Sequence, residues 1–180
     1  MSVVAIQGVK GSYSEEAARR LTGSDVEIVE CLDFVAAFGA IATGRADFAA
    51  IPVENKIVGE IEDSMRLLRT SKYRIFETLP LKVLHVLAGT PDAEFDSIRT
   101  VRSHVEALKQ CKKFLAANAQ MSQVIGADTA SSIQRIVEEN NAENGAIGSR
   151  RAVEIYGARI IAENIADDRD NWTTFCLIGK

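Results

Sequence analysis

The opening third of the chain alternates between two kinds of segment. Residues 3–6, 26–32 and 48–53 are short apolar runs of strand length, and the segments between them have helical character. The first such segment opens at Ser12 or Ser14 and stops at Gly23; residues 34–43 carry apolar side chains at helical spacing and close at Gly44. A strand, helix, strand, helix, strand order is satisfied by a parallel sheet with helices on its faces, and ligands of such sheets bind at the carboxyl ends of the strands. Residues at those ends are therefore the first candidates for chemistry.

At the first strand end, Gly11-Ser12-Tyr13-Ser14-Glu15-Glu16 reads as a loop opening a helix. Ser12 and Glu15 have capping-box spacing, and two glutamates suit the positive end of the helix dipole. Free N–H groups at such a terminus also suit a phosphate or carboxylate. The spacing is neither GxGxxG nor a P-loop, which argues against a nucleotide. The third strand delivers Glu54-Asn55-Lys56, of which Asn55 and Lys56 also read as a polar turn before a helix, and residues 59–68 form an amphipathic helix with Ile61, Met65 and Leu68 on its core face.

Residues 73–88 are long for a strand and are interrupted by Pro80, as in a chain passing from one sheet to another. A second strand and helix set follows, with strands at 98–101, 123–125 and 145–147 and helices at 105–116, 131–139 and 152–156. Ser103-His104 falls where a strand hands over to a helix, where histidine serves as a cap or as a site residue. Ser149 with Arg150 and Arg151 suits an anion or a cap, and His85, inside an apolar run, reads as core. Residues 158–165 form another strand, and no internal repeat is visible. The expected division is one subdomain of about 1–78 plus 166–180 and a second of about 79–165.

A 180-residue chain with 47% hydrophobic side chains can bury its own core, and a net charge of −4 gives no reason to expect nucleic acid or an anionic membrane as partner. A small molecule is the expected partner. No basic and apolar leader precedes the first strand, and no apolar run reaches membrane-spanning length, so a cytoplasmic location is expected. Cys31, Cys111 and Cys176 are odd in number and set in apolar surroundings, which suits buried reduced thiols. No spacing of cysteine or histidine suggests a metal.

Near the carboxyl terminus, Asp170-Asn171-Trp172-Thr173-Thr174-Phe175 puts two hydroxyls and an amide at the mouth of the last strand. Such neutral donors can hydrogen-bond an anion or deliver a proton where a carboxylate would repel it. Threonine and phenylalanine also simply favour strands.

Taken together, Gly8-Val9-Lys10-Gly11-Ser12-Tyr13-Ser14-Glu15-Glu16-Ala17-Ala18, Pro52-Val53-Glu54-Asn55-Lys56-Ile57-Val58-Gly59, Ser103-His104-Val105-Glu106-Ala107-Leu108 and Asn171-Trp172-Thr173-Thr174-Phe175 resemble the ordered motifs of the prephenate dehydratase family. Ala152-Val153-Glu154-Ile155-Tyr156-Gly157 and Ala162-Glu163-Asn164-Ile165 resemble the run into its last motif. The resemblance implies two α/β subdomains of the type II periplasmic-binding-protein kind with a cleft between them. It implies a cytoplasmic carbon–oxygen lyase that converts prephenate to phenylpyruvate in L-phenylalanine biosynthesis without a cofactor, and a homodimer as a family expectation. It assigns proton donation to Thr173. Ser12, Tyr13, Asn55, Lys56, Ser103, His104, Ser149, Asn171, Thr174 and Phe175 are the expected substrate contacts. Alternatives are arogenate dehydratase and a ligand-binding module without turnover.

The motifs also depart from the family pattern. Thr174 stands where the family has arginine, Lys56 where it has serine, and Val105 and Glu106 where it has proline and glutamine. Threonine cannot replace a planar permanent charge, so Lys56 is expected to supply the lost cation and Glu106 is a candidate partner for an amino-bearing substrate. The family commonly carries a phenylalanine-binding ACT domain that this chain does not supply, so no inhibition by phenylalanine through this chain is expected.

Overall fold

The computed structural model describes residues 2–180, so the expected start of the first subdomain at position 1 lies outside the described residues. The chain divides into two compact α/β units. The first takes the chain up to Val9, Tyr13–Val83 and Asp170–Lys180, and the second takes Lys10–Ser12 and Leu84–Arg169. The chain thus changes unit at 83/84 and returns at 169/170, a few residues later on both passes than the sequence pattern suggests.

The first unit is built from β1 (Val3–Gln7), α1 (Tyr13–Thr22), β2 (Glu27–Cys31), α2 (Phe34–Ala42), β3 (Phe48–Asn55), the short β4 (Gly59–Glu60), α3 (Glu62–Thr70) and β5 (Arg74–Lys82). The second contains β6 (Val86–Gly89), a 3-10 turn at Phe95–Ser97, β7 (Thr100–Ser103), α4 (Val105–Gln110), α5 (Lys112–Ala117), β8 (Ser122–Ile125), α6 (Thr129–Glu139), β9 (Asn144–Gly148), α7 (Arg150–Tyr156) and β10 (Arg159–Ala162). The last strand, β11 (Trp172–Gly179), belongs to the first unit.

The first sheet runs β2-β1-β3-β11-β5, with β4 on β3. β1 pairs β2 and β3 in parallel, as the crossover helices require, whereas β11 runs antiparallel to both β3 and β5. Pro52 lies inside β3, where proline normally weakens a ladder. It does no harm here: β1 pairs only Phe48–Ala50, and the antiparallel register steps from Thr174↔Glu54 to Phe175↔Pro52, leaving Val53 as the extra residue of a bulge. Ser64, fully buried on α3, donates to the Pro52 carbonyl and ties the helix to that irregularity.

One face of this sheet packs Ala5, Ile51, Cys176 and Ile178 against Ala37, Phe38 and Ile41 of α2. The other packs Ile6, Ala50 and Leu177 against Ala18, and Leu81 and Phe175 against Ala17 of α1. Each fully buried isoleucine or leucine contributes about 1.5–3 kcal/mol, so the apolar alternation of β11 fixes which face every residue of that strand occupies. Thr173, Phe175 and Leu177 lie on the α1 face, and Thr174, Cys176 and Ile178 on the other.

The second sheet runs β10-β6-β9-β7-β8, with β7 parallel to β8 and β9, and β6 antiparallel to β9 and β10. Leu87, Ile98, Val101, Leu108 and Ile147 form its core. A β-carbon at Gly148 would stand 2.6 Å from Ile133 Cδ1, so glycine lets α6 approach the end of β9. The helix expected over 105–116 is broken at Cys111 into α4 and α5. The run at 73–88 is two strands, β5 and β6, one in each sheet, and Pro80 sits on β5 at the sheet edge, where its missing N–H is tolerated.

Candidate active site

The carboxyl end of β3 and the start of β11 bring Asn55 and Thr173 directly opposite one another in register. Both side chains are buried, as is Asn171, which has no exposed surface. The orientation of the Asn55 amide follows from its partners. The backbone N–H groups of Ile57 and Val58 donate to its Oδ1 at 3.0 and 3.1 Å, and an N–H can only donate. The amide nitrogen must therefore face β11. It donates to Asn171 Oδ1 at 2.8 Å, to Thr173 Oγ1 at 2.9 Å and, at 3.2 Å, to the Trp172 carbonyl.

This fixes the polarity of Thr173. Its oxygen accepts a hydrogen bond from a group that has no lone pair to receive one in return. The hydroxyl proton is consequently directed away from Asn55, and the bond to oxygen favours any charge that develops there when the proton leaves. An asparagine that accepts two loop amides and donates into the next strand leaves the Thr173 hydroxyl proton for a partner other than Asn55.

Beside this pair, Lys56 forms an ion pair with Asp170, and the Trp172 indole N–H donates to the other Asp170 oxygen at 2.9 Å. The Lys56 hydrogen bond and then the indole N–H hold the Asp170 carboxyl below the usual carboxylate range. Lys82 lies over the Trp172 ring, 5.8 Å from its centroid. The cation at Lys56 thus has an anionic neighbour, which the sequence reading of Lys56 as the substitute for the motif arginine did not include.

The other expected contacts divide between the units. Tyr13 is half-buried against Ala17, Leu81 and Phe175 in the first unit, and Phe175 itself is core. Phe175 and Asn171 are therefore packing and hydrogen-bonding residues rather than exposed ligand contacts. Thr174 lies on the face opposite Thr173. Glu15, nearly fully buried, pairs with Arg19 at 2.6 Å, one turn along α1.

In the second unit Ser12 is buried, and Ser103, without exposed surface, donates to the Ile147 carbonyl at 2.7 Å. His104 is the N-cap of α4, its Nδ1 accepting from the Glu106 N–H at 3.3 Å, and Glu106 pairs with Lys109 at 2.8 Å. Ser149 caps α7, accepting from the Ala152 N–H at 3.0 Å while donating to the Gly11 carbonyl at 2.7 Å. Its hydroxyl proton is used within the unit. Gly11 has φ +85°, and a β-carbon there would meet Ala152 Cα at 2.8 Å. His104 and Ser149 therefore fill the capping roles that were their plainer alternatives, and Ser103 ties β7 to β9. His85 is core as expected, with its Nε2 at 2.8 Å from Gln110 Oε1.

Asp170, Trp172 and Lys82 are the site neighbours that the sequence-level list of contacts omits. An acid two residues before a tryptophan gives no hint that the indole will hold it, and only the Trp172↔Lys82 register brings Lys82 alongside. The cysteines are all buried and free, and among the described residues no group of histidine, cysteine or acid side chains is arranged to hold a metal. Among the same residues no helix is long and apolar enough to cross a membrane.

A two-sheet α/β chain with a hydroxyl donor at one strand end is the class that fold and site define. The family described as Prephenate dehydratase matches residues 4–180, and the chain belongs to that family. It is 37% identical over 177 residues to "Arogenate dehydratase/prephenate dehydratase 1, chloroplastic" of Arabidopsis thaliana, a match covering 98% of this chain and 45% of that protein. Among solved structures, prephenate dehydratase from Arthrobacter aurescens in complex with L-Phe superposes with a TM-score of 0.90 at 25% identity, covering 99% of this chain and 60% of that one. GqqA, described as a novel type of quorum quenching acylase, superposes with a TM-score of 0.87 at 27% identity, covering 99% and 64%. The chain spans less than half the length of the curated relatives it matches.

Proposed function

We propose that the chain catalyses the decarboxylating dehydration of prephenate or of its amino analogue arogenate, yielding phenylpyruvate or phenylalanine with carbon dioxide and water. The ring carboxylate leaves as carbon dioxide, its bonding electrons aromatise the ring, and the ring hydroxyl departs with a proton. Hydroxide is the poor leaving group, so the enzyme's contribution is a donor at that oxygen. Thr173 is that donor in this reading. The observation that carries it is the Asn55 to Thr173 hydrogen bond, whose direction is fixed by the two loop amides on Asn55.

An acylase reading is less well supported. Acyl transfer needs a base beside the nucleophile, and the group beside Thr173 is an amide nitrogen that cannot take a proton. Three buried free thiols fit a reducing, cytoplasmic setting, and a small anionic molecule is the partner.

The test is incubation of the purified chain with each substrate at neutral pH, following product and carbon dioxide together. Both should form in equal amounts, and Thr173→Val should slow the formation of both together by about 10²–10⁴-fold. Binding without product by the unaltered protein would replace the enzyme with a ligand-binding module.

A further inference from the structure

We infer that Lys56 and Asp170 together recognise the α-amino-acid end of an amino-bearing substrate, so that the site prefers arogenate to prephenate. The inference rests on the dehydratase reading and narrows its substrate. Lys56 and Asp170 are the members of one exposed ion pair, with side chains 56% and 61% accessible, and they flank the Asn55 and Thr173 positions in the chain. Asp170 is held a second time, by the Trp172 indole N–H at 2.9 Å, and the ring is in turn covered by Lys82. The carboxylate therefore keeps its position when the lysine turns to another anion.

An α-ammonium carboxylate matches this arrangement crosswise. Its carboxylate takes Lys56 and its ammonium takes Asp170, so one ion pair is exchanged for two. An α-keto acid offers only the carboxylate. It draws Lys56 from Asp170 and brings no ammonium to Asp170 in return. Exposed ion pairs are each weak, which makes the exchange easy and limits the selectivity from one such contact to about fivefold. Glu106, the acid singled out from sequence for this role, is instead paired with Lys109 on α4.

The experiment compares kcat/KM for arogenate and prephenate at low ionic strength in the unaltered chain and in Asp170→Asn, Asp170→Glu and Lys56→Met. The unaltered chain should favour arogenate, and Asp170→Asn should lower the arogenate to prephenate ratio about fivefold. Asp170→Glu should keep most of the preference, and Lys56→Met should weaken both substrates. A ratio unmoved by Asp170→Asn, or a preference for prephenate in the unaltered chain, overturns the inference. If neither substrate turns over, the dehydratase reading fails separately. The recognition claim is then judged by calorimetry with L-phenylalanine and phenylpyruvate, which differ only at the group in question. Tighter binding of the amino acid, lost in Asp170→Asn, upholds the claim, and equal binding removes it.

Discussion

The first sheet, read β2-β1-β3-β11-β5, and the second, read β8-β7-β9-β6-β10, have the same plan: three parallel strands, a fourth antiparallel to them, and a fifth antiparallel to the fourth. What differs is the residue pair at the matching step. In the first, the end of the third strand sets Asn55 opposite Thr173; in the second, it sets Gly148 opposite Val86. Polar side chains near the second strand end are consumed internally, Ser103 by the Ile147 carbonyl and Ser149 by Gly11 and Ala152. One topology thus yields a polarised hydroxyl in one unit and a braced end, its hydroxyl protons already donated, in the other. Chemistry follows from which side chains meet in register, with the topology only offering the place.

The largest expected effect belongs to the first unit. Thr173→Val removes the donor and should lower kcat by about 10²–10⁴-fold, with circular dichroism unchanged and Thr173→Ser restoring much of the rate. Asn55→Ala leaves the hydroxyl in place but undirected, and should cost about 10²-fold in kcat. It should also cost about 1–3 kcal/mol of stability in urea unfolding, because buried partners lose their bonds. The equivalent change in the second unit should separate these effects. Ser149→Ala should cost about 1–2 kcal/mol through the lost cap of α7 while KM moves by less than about twofold; a large rise in KM would return Ser149 to the binding surface and break the contrast.

The smallest effect concerns His85, whose imidazole pKa is lowered, first by burial and against the bond to Gln110. A depressed base is held neutral in the folded state, so its contribution is present above the unfolded value of about 6.5 and is lost as pH falls below it. Urea midpoints measured from pH 7.5 to pH 5, an interval set by that value, should fall less steeply in His85→Leu than in the unaltered chain.

Much of this contrast was written in local pattern. Parallel α/β order, the change of sheet near Pro80 and the burial of His85 and the cysteines follow from period and punctuation. The shared strand plan was invisible as a repeat, because apolar alternation specifies a sheet without fixing the identity of any residue. Asn55, Thr173 and Lys56 stood out through strand-end position and motif, and the resemblance assigned Thr173 proton donation, but the hydrogen bond from Asn55 to Thr173 was not legible. That Asn171 is sealed in and that Asp170 answers Lys56 depend on pairings more than a hundred residues apart in sequence, with separations of 116 for Asn55 to Asn171 and 114 for Lys56 to Asp170. No window of neighbouring residues contains those pairings.

The central claim is that the Asn55 amide and the Thr173 hydroxyl act as one unit, and a double-mutant cycle on single-turnover product formation tests it most directly. If they do, adding Asn55→Ala to Thr173→Val should slow the reaction by no more than about threefold beyond Thr173→Val alone, because an amide that acts through the hydroxyl has nothing left to direct. Two full losses that multiply would contradict the account and make Asn55 an independent contact with substrate.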